Sequence, residues 1–123
     1  MIRRFPCTGP LIPDDLRDRL IENGRMADVE DDFDPFPVVK LFTPDAAATW
    51  LLAEASAEGD DIRLFGLCDL GLGSPELGYV MLSEIEDVRG GLGLPVERDL
   101  YFKAEYRLST YAKNARHAGM IVT

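Results

Sequence analysis

The sequence predicts a single α+β domain with an antiparallel sheet of about four to five strands. The chain has 123 residues, close to the commonest domain size, and 46% of them are hydrophobic, which is enough for one core. Short β-branched and aromatic runs follow one another with turn-forming links of a few residues, which is typical of an antiparallel meander. The N-terminal and C-terminal segments have helical rather than alternating patterns.

The first helix is predicted over Pro13–Gly24. A proline and two aspartates suit its first turn, and the pair Asn23-Gly24 is a typical C-terminal stop. The segment Asp28–Pro37 that follows is acidic, contains two prolines and has no periodicity, so we expect a loop.

Four strand-like segments follow, and we expect them to pair in sequence order. They are Val38–Phe42, Thr49–Ala55, Ile62–Cys68 and Leu77–Leu82. The second also suits a helix because of its alanines and leucines, but the turn signals on both sides favour a strand. Gly66 is a candidate β-bulge within the third.

The remainder of the chain predicts a short helix, a last extended piece and a C-terminal helix. Ser83–Glu86 matches a capping box, and the short helix is expected to end at Arg89-Gly90. Asp99–Phe102 is the extended piece. Tyr106–His117 forms the C-terminal helix, which Gly119 ends. The inward residues of this helix are expected to be Leu108, Tyr111, Ala112 and Ala115.

The charge is strongly acidic and unevenly distributed. The net charge is −9, with nine acidic against three basic residues in Asp14–Asp34 and five basic against three acidic residues in Glu97–Thr123. An acidic surface repels phosphates and attracts basic partners, so we expect a protein partner and disfavour general nucleic-acid binding. That the acidity serves only solubility stays open. The candidate protein-binding residues are Asp28, Glu30, Asp31, Asp32 and Asp34.

No catalytic constellation is evident, and we expect neither an enzyme nor a bound cofactor or metal. His117 is the one histidine, Cys7 and Cys68 lack CxxC spacing, and the two glycine-rich loops lack the lysine of a P-loop. We expect both cysteines to be reduced thiols.

Two other functions remain open. One is nucleic-acid binding through the basic side chains of the C-terminal segment, which are Arg98, Lys103, Arg107, Lys113 and Arg116. The other is a metal-dependent nuclease in which carboxylates hold Mg²⁺, and its candidate ligands are Asp69, Glu76 and Glu84.

Two further groups of residues have alternative interpretations. A loop charge cluster could tether the chain or bind a ligand, and tethering by Arg89 or Arg98 to Glu76 or Glu97 is favoured; its members are Glu76, Arg89, Glu97, Arg98 and Asp99. Aromatic residues on the predicted strands could stack bases, but core packing is favoured because strand side chains alternate; these are Trp50, Phe65, Tyr79, Tyr101 and Phe102.

The sequence predicts a cytoplasmic protein without a membrane segment. No apolar run approaches the about 20 residues that a membrane crossing requires, and no signal-peptide pattern begins the chain. The oligomeric state is not indicated.

Several sequence blocks resemble a bacterial domain-of-unknown-function family, DUF2958. Its pattern runs K-F-F-T-P-D, T-W, F-F-G-L-V-D, E-L-G-Y-F and V-R-G-P-L-G-L-P-x-E-R-D-L-x-F. The corresponding blocks here are Lys40–Asp45, Thr49–Trp50, Leu64–Asp69, Pro75–Tyr79 and Val88–Phe102. Gly91 stands where the family usually has proline. The resemblance covers about residues 11–102 of the single domain and leaves 103–123 as an unmatched C-terminal extension.

This resemblance implies a setting rather than a mechanism. Members of the family are similar to small proteins or modules carried by plasmids, phages and integrative elements, beside DNA-processing and antirestriction genes, and they supply no catalytic residue. Combined with the charge, this leads us to expect a non-catalytic accessory protein of a mobile element or phage. It would act by protein binding, with inhibition of a host DNA-binding defence enzyme as the specific hypothesis.

Overall fold

The computed structural model describes residues 10–123 and confirms the α+β class. The helices are α1 (Asp14–Val29), α2 (Leu82–Glu86) and α3 (Leu108–Ala118). The strands are β1 (Val39–Phe42), β2 (Thr49–Glu58), β3 (Asp61–Asp69), β4 (Glu76–Met81) and β5 (Glu97–Arg98). The prediction of a reduced thiol at Cys7 lies outside the described residues.

The five strands form one antiparallel sheet in the order β4-β3-β2-β1-β5, with helices on both faces. Alternation along β2 divides the core into two layers. Trp50 and Leu52 pack with Leu20 of α1, whereas Leu51 and Ala53 pack with the inner side of α3. We call these the α1 face and the α3 face.

The predicted meander is confirmed, and β2 is a strand rather than a helix. The last extended piece, however, was predicted at the wrong residues. Pairing with β1 involves Glu97 and Arg98, and the chain turns directly afterwards. The cause is Asp99, whose carboxylate accepts a hydrogen bond from the Tyr101 N–H at 2.9 Å and so closes a side-chain turn.

The C-terminal helix is confirmed. Its four predicted inward residues are all buried against the α3 face. Gly119 ends the helix with φ +75°, the left-handed conformation that glycine adopts without steric cost.

The short helix α2 is confirmed, but the predicted capping pair and end are wrong. The backbone N–H of Met81 donates to Glu84 Oε1 at 2.9 Å, so the reciprocal acid is Glu84 rather than Glu86. Ser83 is inside the helix, and its hydroxyl donates to Asp61 at the start of β3. The helix therefore begins one residue before Ser83 and ends at Glu86.

Helix α1 was predicted to end at Asn23-Gly24, and this prediction is wrong, because the helix continues to Val29. Asn23 Nδ2 donates to the Ala53 carbonyl of β2 at 2.9 Å. A Cβ at Gly24 would lie 2.3 Å from the Ala55 carbonyl oxygen, so only glycine fits where the helix crosses β2. The pair that suggested a helix stop instead permits close contact between helix and strand.

The β-bulge lies in β2, and the prediction of a bulge at Gly66 is wrong. Leu52 pairs with Gly66 and Glu54 pairs with Phe65, so Ala53 is the extra residue. Gly66 is needed for a different reason, because a Cβ there would lie 2.0 Å from the Leu51 carbonyl oxygen.

Candidate functional site

The bulge in β2 determines which face of the sheet Glu54 occupies. Without it, Glu54 would share the α1 face with Leu52. With Ala53 as the extra residue, Glu54 instead lies opposite Phe65, which lies opposite Tyr79 of β4. These three side chains therefore form one cross-strand row on the α3 face, as expected for a bulge that redirects a side chain.

A cleft of about 220 Å³ borders this row. Helix α3 packs over Leu51 and Leu67, and none of its residues lines the cleft. The C-terminal half of α1 reaches the cleft at the edge of β2, because the helix crosses that strand at Ala55, beyond Leu52, the last residue that pairs with β1. The charged and aromatic residues that line it are Arg25, Asp28, Glu54, Arg63, Phe65 and Tyr79.

Glu54 is the residue of the cleft whose carboxyl pKa is clearly shifted. Burial raises the pKa of its carboxyl above the usual value, and the nearby charge of Asp28 raises it further. The carboxylate of Glu54 forms no hydrogen bond or ion pair with the side chains and backbone of the other described residues. The arginines have other contacts: Arg25 pairs with Glu22 at 2.8 Å, and the Arg63 guanidinium lies 4.6 Å from the centre of the Tyr79 ring.

Of the two aromatic rings that line the cleft, the Tyr79 ring is exposed and the Phe65 ring is partly buried. Tyr79 is 63% exposed, and its ring centre lies 4.9 Å from that of Phe65. The expectation of core packing thus fails for Tyr79, which lies on the edge strand β4 in a cleft that no residue of α3 lines, while it is confirmed for Trp50.

Four predicted protein-binding residues lie beside the cleft at the C-terminal end of α1. Asp28, Glu30, Asp31 and Asp32 are all exposed, and the last turn of the helix has no basic residue. None of the four forms an ion pair within residues 10–123. We call Glu30, Asp31 and Asp32 the acidic turn, and Asp28 connects it to the cleft.

Two of the blocks that resemble the family pattern, Lys40–Asp45 and Val88–Phe102, meet at the other end of the sheet. Asp45 Oδ2 accepts hydrogen bonds from the Leu92 and Leu94 N–H groups at 2.7 and 3.2 Å. Asp45 Oδ1 is buried, with no hydrogen-bond partner among the described residues. A Cβ at Gly90 would lie 1.8 Å from that oxygen. Asp45 thus positions the glycine-rich loop, a role that its place in the Thr-Pro-Asp block signals but that sequence reasoning missed.

Residues 11–122 match the family described as "Protein of unknown function (DUF2958)". The chain belongs to this family. The match confirms the resemblance and extends through most of the C-terminal segment that the sequence blocks left unmatched. No curated protein and no solved structure matches the chain.

In this DUF2958 chain, Asp34 differs from the other predicted protein-binding acids. It is partly buried, and its carboxylate accepts from the Ser109 N–H at 3.1 Å and from the Ser109 hydroxyl at 2.5 Å. The carbonyl oxygen of Asp34 accepts from Arg107 at 3.0 Å. Asp34 therefore caps the N-terminus of α3 from a distant loop and is not part of the acidic turn.

The loop charge cluster is not brought together. Glu76 begins β4 and Arg98 belongs to β5, and these strands are the two opposite edges of the sheet. Four strand spacings of roughly 4.8 Å each separate them. Arg89 donates to the carbonyls of Glu86 and Val88, and Arg98 donates to the carbonyl of Leu11. The predicted pairing of these arginines with Glu76 or Glu97 is wrong, because backbone carbonyls satisfy the guanidinium groups. Asp99 instead lies 3.7 Å from Lys40.

The three candidate metal ligands, Asp69, Glu76 and Glu84, have different structural environments. Asp69 is buried, and its two oxygens accept hydrogen bonds from the N–H groups of Gly71 and Ile121 at 2.8 and 2.9 Å. Glu84 caps α2, and Glu76 is exposed at the start of β4. Within residues 10–123, no three His, Cys, Asp or Glu side chains are grouped so as to hold a metal ion.

The basic residues of the C-terminal segment have mixed environments. The Arg107 guanidinium lies 4.7 Å from the centre of the Phe36 ring, and Arg98 is held by Leu11. Lys103, Lys113 and Arg116 are exposed. His117 is exposed in the last turn of α3, where a cation is favourable.

Two remaining features bear on chemistry. Burial raises the pKa of the Cys68 thiol to about 11, so this thiol is protonated at neutral pH and is a weak nucleophile. No helix of the described part of the chain is long and apolar enough to cross a membrane.

Proposed function

We propose that the protein is a non-catalytic accessory protein of a mobile element or phage. It acts in the cytoplasm by binding the basic surface of another protein through the acidic turn. The observation that carries this proposal is the placement of uncompensated acidic side chains at the C-terminal end of α1.

This placement opposes the stability of the fold. The C-terminal end of a helix carries a partial negative charge, where a nearby anion costs about 0.3–1 kcal/mol. Asp28 lies in the last turn of α1, Glu30 is the residue that ends it, and Asp31 and Asp32 follow directly. Solubility would be served equally by acids elsewhere on the surface. A loss of stability that is retained at one place on the surface, as at the C-terminal end of α1, is typical of a binding surface.

The class of partner follows from the charge of the surface. Exposed carboxylates present negative charge as nucleic-acid phosphates do, so they suit a protein that binds DNA. The setting implied by the family resemblance, beside DNA-processing and antirestriction genes, makes a host DNA-binding defence enzyme our specific hypothesis. Binding would block the DNA-binding surface of that enzyme.

Affinity capture of the tagged protein from its host, at low and moderate salt, tests this proposal. One variant reverses the acidic turn with Glu30→Lys, Asp31→Lys and Asp32→Lys. The matched control reverses three exposed acids elsewhere, Glu58, Asp60 and Glu105, and so has the same net charge.

We expect a stoichiometric protein that is retained by the control and lost by the acidic-turn variant. Recovery of nucleic acid in place of a protein would contradict the proposal and favour the basic C-terminal segment. Equal recovery of the same partner with both variants would also contradict it.

A further inference from the structure

We propose that the cleft beside Glu54 binds one arginine side chain of the protein partner, between the carboxylates of Glu54 and Asp28 and over the Phe65 ring. This inference rests on the proposed function, because the arginine belongs to the basic surface that the acidic turn contacts.

Charge complementarity favours a cation in the cleft. Glu54 and Asp28 both line it, and their negative charges are close enough to interact. Neither Arg25 nor Arg63 forms an ion pair with them within the described chain, since Arg25 pairs with Glu22 and Arg63 stacks on Tyr79. With Arg25 paired to Glu22, Arg63 is the one remaining cation against the two carboxylates among the described residues that line the cleft, and a ligand cation would supply the second counter-charge.

The aromatic floor favours arginine over lysine. A guanidinium is planar, weakly hydrated and able to stack on a ring while it pairs with carboxylates, whereas an ammonium is a strongly hydrated point charge. Tyr79 already receives the guanidinium of Arg63 at 4.6 Å, and Phe65 lies next to it in the same row. Phe65 is partly buried and lines the cleft between that occupied ring and Glu54 in the same row.

The local fold keeps Glu54 in the cleft. The extra residue Ala53 turns Glu54 to the α3 face, and the Asn23 side chain of α1 donates a hydrogen bond to the Ala53 carbonyl at the bulge. The close crossing at Gly24 then brings Asp28 to the same opening. Asp28 also borders the acidic turn, so a basic surface seated on that turn lies within reach of the cleft.

The experiment is an NMR titration of the full chain with a capped Gly-Gly-Arg-Gly-Gly peptide. The reference probe is the same peptide with citrulline, which keeps the shape of arginine but is neutral. We expect saturable shifts of the Glu54, Phe65 and Tyr79 signals with the arginine peptide only. Shifts of equal size with citrulline, or shifts confined to residues outside the cleft, would overturn the proposal.

Matched variants separate the cleft from the general negative charge. Glu54→Gln is expected to weaken binding of the arginine peptide about tenfold, the range for a lost hydrogen bond to a charged group. Glu58→Gln removes one charge outside the cleft on the same strand and should leave binding unchanged. A second pair makes the same comparison: Asp28→Asn removes a charge that lines the cleft, and Asp31→Asn removes one beyond the end of α1 that does not. Unchanged binding in Glu54→Gln with an intact amide spectrum would overturn the assignment.

The two proposals can fail separately. If reversal of the acidic turn abolishes partner binding and Glu54→Gln leaves it intact, the proposed function stands and the cleft assignment is wrong. If neither change affects the partner, the proposed function is wrong, whatever the peptide does.

Discussion

Gly66 and Gly78 face each other across β3 and β4 but have opposite surroundings. A Cβ at Gly66 would lie 2.0 Å from the Leu51 carbonyl oxygen, whereas a Cβ at Gly78 would meet no atom within 4 Å. Glycine in a strand costs about 0.5–1 kcal/mol relative to alanine. We therefore expect Gly78→Ala to raise the free energy of unfolding by about that amount.

The paired change, Gly66→Ala, should lower the free energy of unfolding by about 1–3 kcal/mol or more, because the backbone must move to admit the methyl group. Urea unfolding of both variants checks the pair. Effects of the same sign would contradict the described packing of β2 against β3.

At Glu54 the structure predicts a dependence of stability on pH. The pKa of its carboxyl is raised in the folded protein, mainly by burial and then by Asp28. The folded state thus holds this proton more tightly than the unfolded chain does. The stability contribution is complete below the ordinary pKa of glutamate and is lost as the pH rises through the raised pKa.

Glu54→Gln removes this ionisation, so it should be more stable than the unmodified protein at pH 7, with a smaller difference at pH 4. Thermal unfolding at both pH values measures the two differences, and Glu58→Gln is the control for loss of one charge. A stability difference that grows on acidification would contradict the described environment of Glu54.

Among the elements, α3 depends on a residue far away in the sequence. Asp34→Ala removes the carboxylate that accepts two hydrogen bonds from Ser109, and loss of a helix cap costs about 0.5–2 kcal/mol. We expect lower stability and faster amide hydrogen exchange in α3. Asp31→Ala removes an exposed acid beyond the negative end of α1, so we expect it to leave exchange in α3 unaltered and not to lower stability. Equal effects of the two substitutions would contradict the separation of Asp34 from the acidic turn.

Local patterns predicted the elements but not the contacts between them. Short β-branched runs and turn residues placed β1 to β4, and Leu108, Tyr111, Ala112 and Ala115 identified the buried side of α3. Asn23 and Gly24 led to the wrong prediction of a helix end. Both residues are required by the contact of α1 with β2, a strand that is distant in the sequence. The sequence alone does not distinguish a glycine that permits a close helix–strand crossing, such as Gly24, from one that ends a helix, such as Gly119.

The candidate site was predictable only in part. The charge pattern indicated the acidic turn, since a surplus of acids is visible in composition. The cleft was missed because it depends on the position of the bulge, and a bulge at Ala53 rather than Gly66 decides which face Glu54 occupies. Asp34 was assigned to the binding surface because its partner, Ser109, lies 75 residues further along the chain.

For the molecule as a whole, the net charge of −9 opposes compaction. Reversal of the acidic turn reduces this repulsion and places cations near the negative end of α1, where each contributes about 0.3–1 kcal/mol at most. We expect the acidic-turn variant to be at least as stable as the unmodified protein in chemical unfolding at low salt. A marked loss of stability would show that the acids serve the fold.

The central claim is tested most directly by the dissociation constant of the captured partner. It is measured at one salt concentration for the acidic-turn variant and for the matched control, here called the distal reversal, in which Glu58, Asp60 and Glu105 are reversed. If the acidic turn is the binding surface, its reversal weakens binding about a hundredfold or more, as expected when several charge pairs are lost. The distal reversal should change binding only slightly, through screened long-range attraction. Equal weakening by both variants would mean that net charge alone attracts the partner and would contradict a specific site at the end of α1.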